Sequence, residues 1–387
     1  MSHLEANVLW NPAWGPPTDP SRPPAPEIAA FHRSIPGFHR TPLIEVPQLA
    51  EQAGVAHVFV KHEMDRLGLP SFKVVGASWA VNVALSGELG VPPFSSFDEL
   101  RTACAGRPDI ELLTATDGNH GRAVAFLSRS LGLRSRILVP ADMVPERVSA
   151  IQNEGAEVIV VDGSYDEAVR RAAALGSTSS PGAGTRTIVV SDTSWPGYSA
   201  IPRAVVDGYS TIFAEVREQF DEALGTARAP IDVAVVPVGV GSFASAAAAN
   251  LHQASCHIVT TEPAAADCLW QSLAAGEPVV VPGPHRSSMA GLNCGEVSAD
   301  AWPILKQSVR AATRVSDLEA RGAVRDLARH GILCGESGAA SLAGLRRLRL
   351  DTRSGSFLRP TSAVVLFNTE GVMAPVGLDE GVTHGDR

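Results

Sequence analysis

Between residues 57 and 367 the chain alternates short β-branched runs with longer amphipathic stretches, and that alternation restricts it to one class of fold. The candidate strands are 57–62, 111–116, 135–140, 157–161, 187–191, 231–237, 256–261 and 363–367. Helical stretches are read at 74–88, 120–131, 145–153, 165–175, 203–223, 245–252, 264–275, 317–330 and 337–348. Strand followed by helix, repeated, dictates parallel sheets with helices on both faces. Ligands of such α/β sheets bind beyond the carboxyl ends of the strands. The informative loops are therefore those that leave a strand and open a helix. At roughly 100–200 residues per domain, the 387 residues allow two lobes.

Composition excludes several functions. The formal net charge is −9, and no dense Lys/Arg block occurs. Nucleic acid and anionic membranes are thus not expected partners. The longest apolar run, 233–240, is too short for the roughly 18 residues of a membrane helix. The first ten residues do not read as a secretory signal. The five cysteines are scattered and form no C-x-x-C pair, which argues against a disulfide framework or zinc site and suits a cytoplasmic protein. Only three lysines are present, Lys61, Lys73 and Lys306, so chemistry that needs a lysine amine has three candidates. Residues 11–26 hold seven prolines and are expected to form an extended arm on the body.

Three loops stand out. In the first, Ser71-Phe72-Lys73 opens a helix. The positive end of the helix dipole disfavours an ammonium there, which suits a Schiff-base lysine. A solvated lysine is the plain alternative. The second is Thr116-Asp117-Gly118-Asn119-His120-Gly121-Arg122. Free amides at such a helix start bind a carboxylate or phosphate, Asn119 can hydrogen-bond an oxygen, and Asp117 can accept a proton. The bland reading makes Asp117 a helix cap. In the third, Gly239-Val240-Gly241-Ser242 follows a strongly apolar strand and suits an anion. With Glu262 about 20 residues on, it also fits a dinucleotide-binding unit. Two weaker loops carry Asp192, a possible acid or base, and Thr369, able to bond a ring nitrogen.

Taken in order, these loops resemble the pyridoxal-phosphate enzymes of the threonine dehydratase, cysteine synthase and tryptophan synthase beta type. The likeness spans roughly residues 40–372. Asp117-Gly118-Asn119-His120-Gly121-Arg122, the string from Asp192 through Trp195 to Tyr198, and Gly335-Glu336-Ser337-Gly338 are similar to the diaminopropionate ammonia-lyase branch. So are Ala266-Asp267-Cys268 and Cys294-Gly295-Glu296. An arginine common two residues after the lysine in threonine dehydratases is Val75 here.

The resemblance implies a two-lobed α/β fold. Residues 1–77 and 202–387 would form the larger, cofactor-binding lobe, with 1–40 as the proline-rich arm, and 78–201 a smaller mobile lobe. It implies pyridoxal 5'-phosphate on Lys73, a small amino-acid substrate and a homodimer. Asn119 would bond the phenolic oxygen and Thr369 the ring nitrogen. Gly239, Val240, Gly241 and Ser242 would hold the phosphate. The amides of Gly118, Asn119 and His120 would receive the substrate carboxylate. Asp117 would act as base toward D-2,3-diaminopropionate, and Asp192 or freed Lys73 toward the L-isomer, giving pyruvate and ammonia. A serine, threonine or hydroxyaspartate dehydratase, an NAD-dependent oxidoreductase built on Gly239 and Glu262, and a non-catalytic cofactor-binding relative remain alternatives.

Overall fold

The β-branched runs pair into two sheets. The computed structural model describes residues 7–15, 25–116, 118–177, 184–226, 229–251 and 256–372. Eleven strands are described: β1 (Val8–Trp10), β2 (Leu43–Glu45), β3 (His57–His62), β4 (Ile110–Ala115), β5 (Arg134–Pro140), β6 (Glu157–Val161), β7 (Arg186–Val189), β8 (Val233–Pro237), β9 (His257–Pro263), β10 (Val309–Val315) and β11 (Ala363–Asn368). Seven form one sheet in the order β1-β10-β9-β8-β11-β3-β2, and four form another in the order β6-β5-β4-β7. The smaller sheet is parallel throughout. In the larger one only the edge strands β1 and β2 run antiparallel to their neighbours. Every residue of β8 and β11 is buried, as expected for central strands covered on both faces.

The eight strands read from the sequence are all present, with ends shifted by a residue or two. β1, β2 and β10 were not anticipated, nor were the helices Pro26–Ser34, Pro47–Ala53 and Phe97–Cys104. β10 hides its character behind two arginines. Arg310 lies over the rings of Trp14 and Trp10, at 4.1 and 5.4 Å from their centroids, and Arg314 over Trp270 at 4.1 Å. Long cationic stems on aromatic faces let a charged pattern sit beside the core. The proline-rich arm begins as β1 along β10, and Asn11 donates to the carbonyls of Lys306 and Val309. Residues 16–24 of the arm lie outside the described residues.

Two helices join the sheets. Lys73–Leu89 packs on Ala200–Leu224 through Gly76 and Gly208. A Cβ at Gly76 would lie 2.5 Å from the Tyr209 ring and 2.8 Å from the Val205 carbonyl. A Cβ at Gly208 would lie 2.9 Å from the Gly76 Cα. Backbone-to-backbone contact of this kind fixes the start of the first helix, where Lys73 stands. Among the described residues no helix is long and apolar enough to cross a membrane.

Candidate active site

The carboxyl ends of β4, β7, β8 and β11 and the start of the helix Lys73–Leu89 converge on one pocket. Lys73, Thr116, Asn119, His120, Asp192, Gly239, Val240, Gly241, Ser242 and Thr369 all line it. Residues spread over almost 300 positions thus meet in one place, as open α/β sheets require of a ligand site.

Lys73 is the first residue of its helix, and its Nζ donates to Asp192 Oδ2 at 2.6 Å. Asp192 is 4% exposed. Burial works against its charge, but the Lys73 ammonium and His120 beside it prevail and hold the carboxyl well below the ordinary value. The Asp192 loop is braced by Trp195 stacked on Tyr198, with ring centroids 4.1 Å apart. The Tyr198 hydroxyl donates to the Val189 carbonyl and accepts from the Ser191 amide. That bracing gives Trp195 and Tyr198 a structural reason to follow Asp192 so closely in the chain.

The other two lysines are committed elsewhere. Lys61 is buried in β3 and donates to Glu215, Gln219 and the Thr41 carbonyl. Its neighbour Arg66 pairs with Glu63 at 2.6 Å and Glu215 at 2.7 Å. Lys306 lies in the helix Ala301–Ser308 and donates to the Gly276 carbonyl.

Asp117 lies outside the described residues. Around it, Thr116 Oγ1 accepts from the amides of Gly118 and Gly121, both at 2.9 Å. The Gly118 amide, assigned to a substrate carboxylate from sequence, is therefore engaged by Thr116, and the amides of Asn119 and His120 are left as the candidates. His120 Nε2 must donate to the Val190 carbonyl at 2.9 Å, because a carbonyl only accepts. Its Nδ1, 3.9 Å from Asp192 Oδ2, is buried and has no hydrogen-bond partner among the described residues. Asn119 Oδ1 is likewise unpartnered, while Asn119 Nδ2 donates to Glu370 Oε2 at 2.7 Å.

The loop after β8 is shaped for an anion. Gly241 has φ +94°, a region that favours glycine. A Cβ at Gly239 would come within 3.1 Å of Cys294 Sγ and 3.2 Å of the Gly291 carbonyl. The helix Ser242–Leu251 starts immediately afterwards, so its first amides have no acceptor within the helix. The Ser242 hydroxyl donates to the Asp192 carbonyl at 2.6 Å, tying the cradle to the Asp192 loop. Sequence reasoning had given that hydroxyl to the phosphate.

Glu262 does not face this loop as a ribose ligand would. Its carboxylate accepts from the amides of Leu269 and Trp270 and so caps the helix Cys268–Ala275. Burial pushes its carboxyl up to about 8. The dinucleotide reading loses its acidic residue, for a reason that sequence spacing cannot reveal.

Among the lining residues given no role from the sequence are Tyr165, Cys294, Ser337 and Glu370. Tyr165 donates to Asp192 Oδ1 at 3.4 Å, and Thr369 Oγ1 reaches the Ser337 carbonyl at 3.5 Å. Glu370 had a legible signal, an acidic residue two positions beyond the largely apolar β11. A primary amine, a glycine cradle and orphaned polar atoms in one pocket fit a phosphorylated aldehyde cofactor.

The family model for pyridoxal-phosphate dependent enzymes matches residues 35–369. The chain belongs to this family. Among its relatives, diaminopropionate ammonia-lyase of Salmonella typhimurium is 32% identical over 384 residues, covering 93% of this chain and 92% of that protein. The Escherichia coli K12 diaminopropionate ammonia-lyase is 34% identical, covering 88% and 86%. The crystal structure of the E. coli enzyme in complex with D-serine superposes with a TM-score of 0.83 at 32% identity, over 95% of this chain and 94% of that one. The α/β fold with helix-flanked parallel sheets is thus the fold of pyridoxal-phosphate enzymes.

Proposed function

We propose that the chain catalyses the α,β-elimination of 2,3-diaminopropionate to pyruvate and ammonia, on both the D- and L-isomers, with pyridoxal 5'-phosphate. The observation that carries this reading is the Lys73–Asp192 pair, 2.6 Å apart beside a glycine cradle. The likeness to diaminopropionate ammonia-lyases over almost the whole chain supports the substrate.

The cofactor, when bound, supplies an electron sink that makes the Cα proton of an amino acid removable. Lys73 would hold it covalently, with Gly239, Val240, Gly241 and Ser242 around its phosphate, Asn119 at its phenolic oxygen and Thr369 at its ring nitrogen. Asp192 keeps the Lys73 amine in place and takes or returns a proton at that nitrogen. The amides of Asn119 and His120 orient the substrate carboxylate. The two isomers present the Cα proton on opposite faces, so each needs its own base. Asp117 serves the D-isomer, and Asp192 or Lys73 the L-isomer.

The same reading divides the chain into a cofactor lobe, 1–77 and 202–387, and a smaller mobile lobe, 78–201, and places it as a homodimer in the cytoplasm. The test is release of ammonia and pyruvate from each isomer, set against serine and threonine, by a purified protein whose yellow colour is lost on borohydride treatment. Faster turnover of a hydroxy amino acid would assign the chain to the dehydratases instead.

A further inference from the structure

We propose that Glu370 is the specificity residue that selects an amine over a hydroxyl at the substrate's β-carbon. The inference rests on the elimination reading above and assigns the part of the pocket that receives the departing group. Glu370 lines the same pocket as Lys73 and Asp192, and its side chain is 4% exposed. A carboxylate that deep needs positive charge nearby. The pocket's lysine, Lys73, is paired with Asp192 at 2.6 Å. The hydrogen-bond donor on Glu370 Oε2 is the neutral amide of Asn119 at 2.7 Å, and the Arg147 guanidinium forms an ion pair with the same oxygen at 3.9 Å. The seat is rigid. A Cβ at Gly335 would lie 2.9 Å from Glu370 Oε1, and one at Gly291 would lie 3.6 Å from Oε2. The carboxylate is therefore held in place on the pocket wall, and its ion pair among the described residues, to Arg147, is longer than a hydrogen bond.

2,3-Diaminopropionate brings a further, closer cation. Its α-amine goes to the cofactor, and its β-nitrogen enters as an ammonium. Serine and threonine carry a neutral hydroxyl at that position and offer the carboxylate no charge. Glu370 also keeps the β-nitrogen protonated, so that when the Cβ–N bond breaks and its electron pair stays on nitrogen, the group departs as neutral ammonia. The pocket thus favours the diamine through charge, where a dehydratase pocket needs only to accommodate a hydroxyl.

The experiment compares kcat/KM for D-2,3-diaminopropionate and D-serine in the cofactor-loaded wild type, Glu370→Gln and Glu370→Asp. Cofactor content is read from visible absorbance. Glu370→Gln removes the charge and keeps the shape and the contact with Asn119. Hydrogen bonds to charged groups contribute about 1.5–3 kcal/mol, so diamine turnover should fall about 10–100-fold while serine changes little. Glu370→Asp retains the charge and should retain most of the preference, which keeps the question open to test if the glutamine variant does not fold. Equal losses on both substrates, or a loss of bound cofactor in Glu370→Gln, would overturn the assignment and make Glu370 a cofactor or scaffold residue. A wild type that turns over no diaminopropionate would overturn the proposed function and this inference together. A wild type active on the diamine with an unchanged ratio in the variants would overturn the inference alone.

Discussion

Replacing Asp192 by Asn isolates the charge of one carboxylate with little change of shape. Asp192 accepts from Lys73 Nζ at 2.6 Å, and its carboxyl is held below the ordinary value by that ammonium and by His120 despite burial. Its backbone carbonyl accepts from the Ser242 hydroxyl at 2.6 Å, and the Trp195–Tyr198 brace does not involve its side chain. The loop should therefore stay in place in the variant. What is lost is a charge-assisted hydrogen bond, typically about 1.5–3 kcal/mol, and a proton acceptor, typically about 10²–10⁴-fold in rate. Steady-state ammonia release from the L-isomer should fall within that range. The thermal midpoint should drop more for cofactor-free than for cofactor-loaded protein, because only the former leaves a Lys73 ammonium without its counter-ion. An L-isomer rate within threefold of wild type would refute the role given to Asp192, whatever the stability data show.

Three further outcomes are expected. Borohydride reduction of the loaded protein, followed by digestion and mass mapping, should place the cofactor on Lys73. Label on Lys61, which is buried against Glu215, or on Lys306 would remove the basis of the mechanism. Asp117→Asn should abolish turnover of D-diaminopropionate and spare much of the L-isomer activity, whereas a helix-capping role would leave both near wild type. Gly76→Ala should destabilise the protein by about 1–3 kcal/mol or more through overpacking, since its Cβ would meet the Tyr209 ring at 2.5 Å. Denaturant unfolding measures that loss, and a midpoint equal to wild type would contradict the close packing of the two helices.

The strand-helix alternation and the order of the motif loops were readable because both are local. A buried parallel strand is apolar along most of its length, as β8 and, up to its final Asn368, β11 are. A loop that opens a helix near an anion needs small residues, as Gly239 and Gly241 show. These patterns single out Lys73, Asn119, the cradle and Asp192, which the structure brings to one pocket. β10 was hidden because its arginines are covered by Trp14 and Trp270, which come from distant parts of the chain. Glu262 had the right spacing for a ribose ligand, yet tertiary structure turned it onto a helix start. Thr116 took the Gly118 amide, and Ser242 turned its hydroxyl to Asp192. Glu370 became a pocket residue only when β11 was set beside the loop carrying Asn119, 251 positions away. Sequence by itself determined which elements form and which residue types their loops offer, because propensity and burial act along the chain. Only the tertiary structure decided which polar groups are already satisfied and which still face the pocket, because hydrogen-bond partners are chosen by proximity in space.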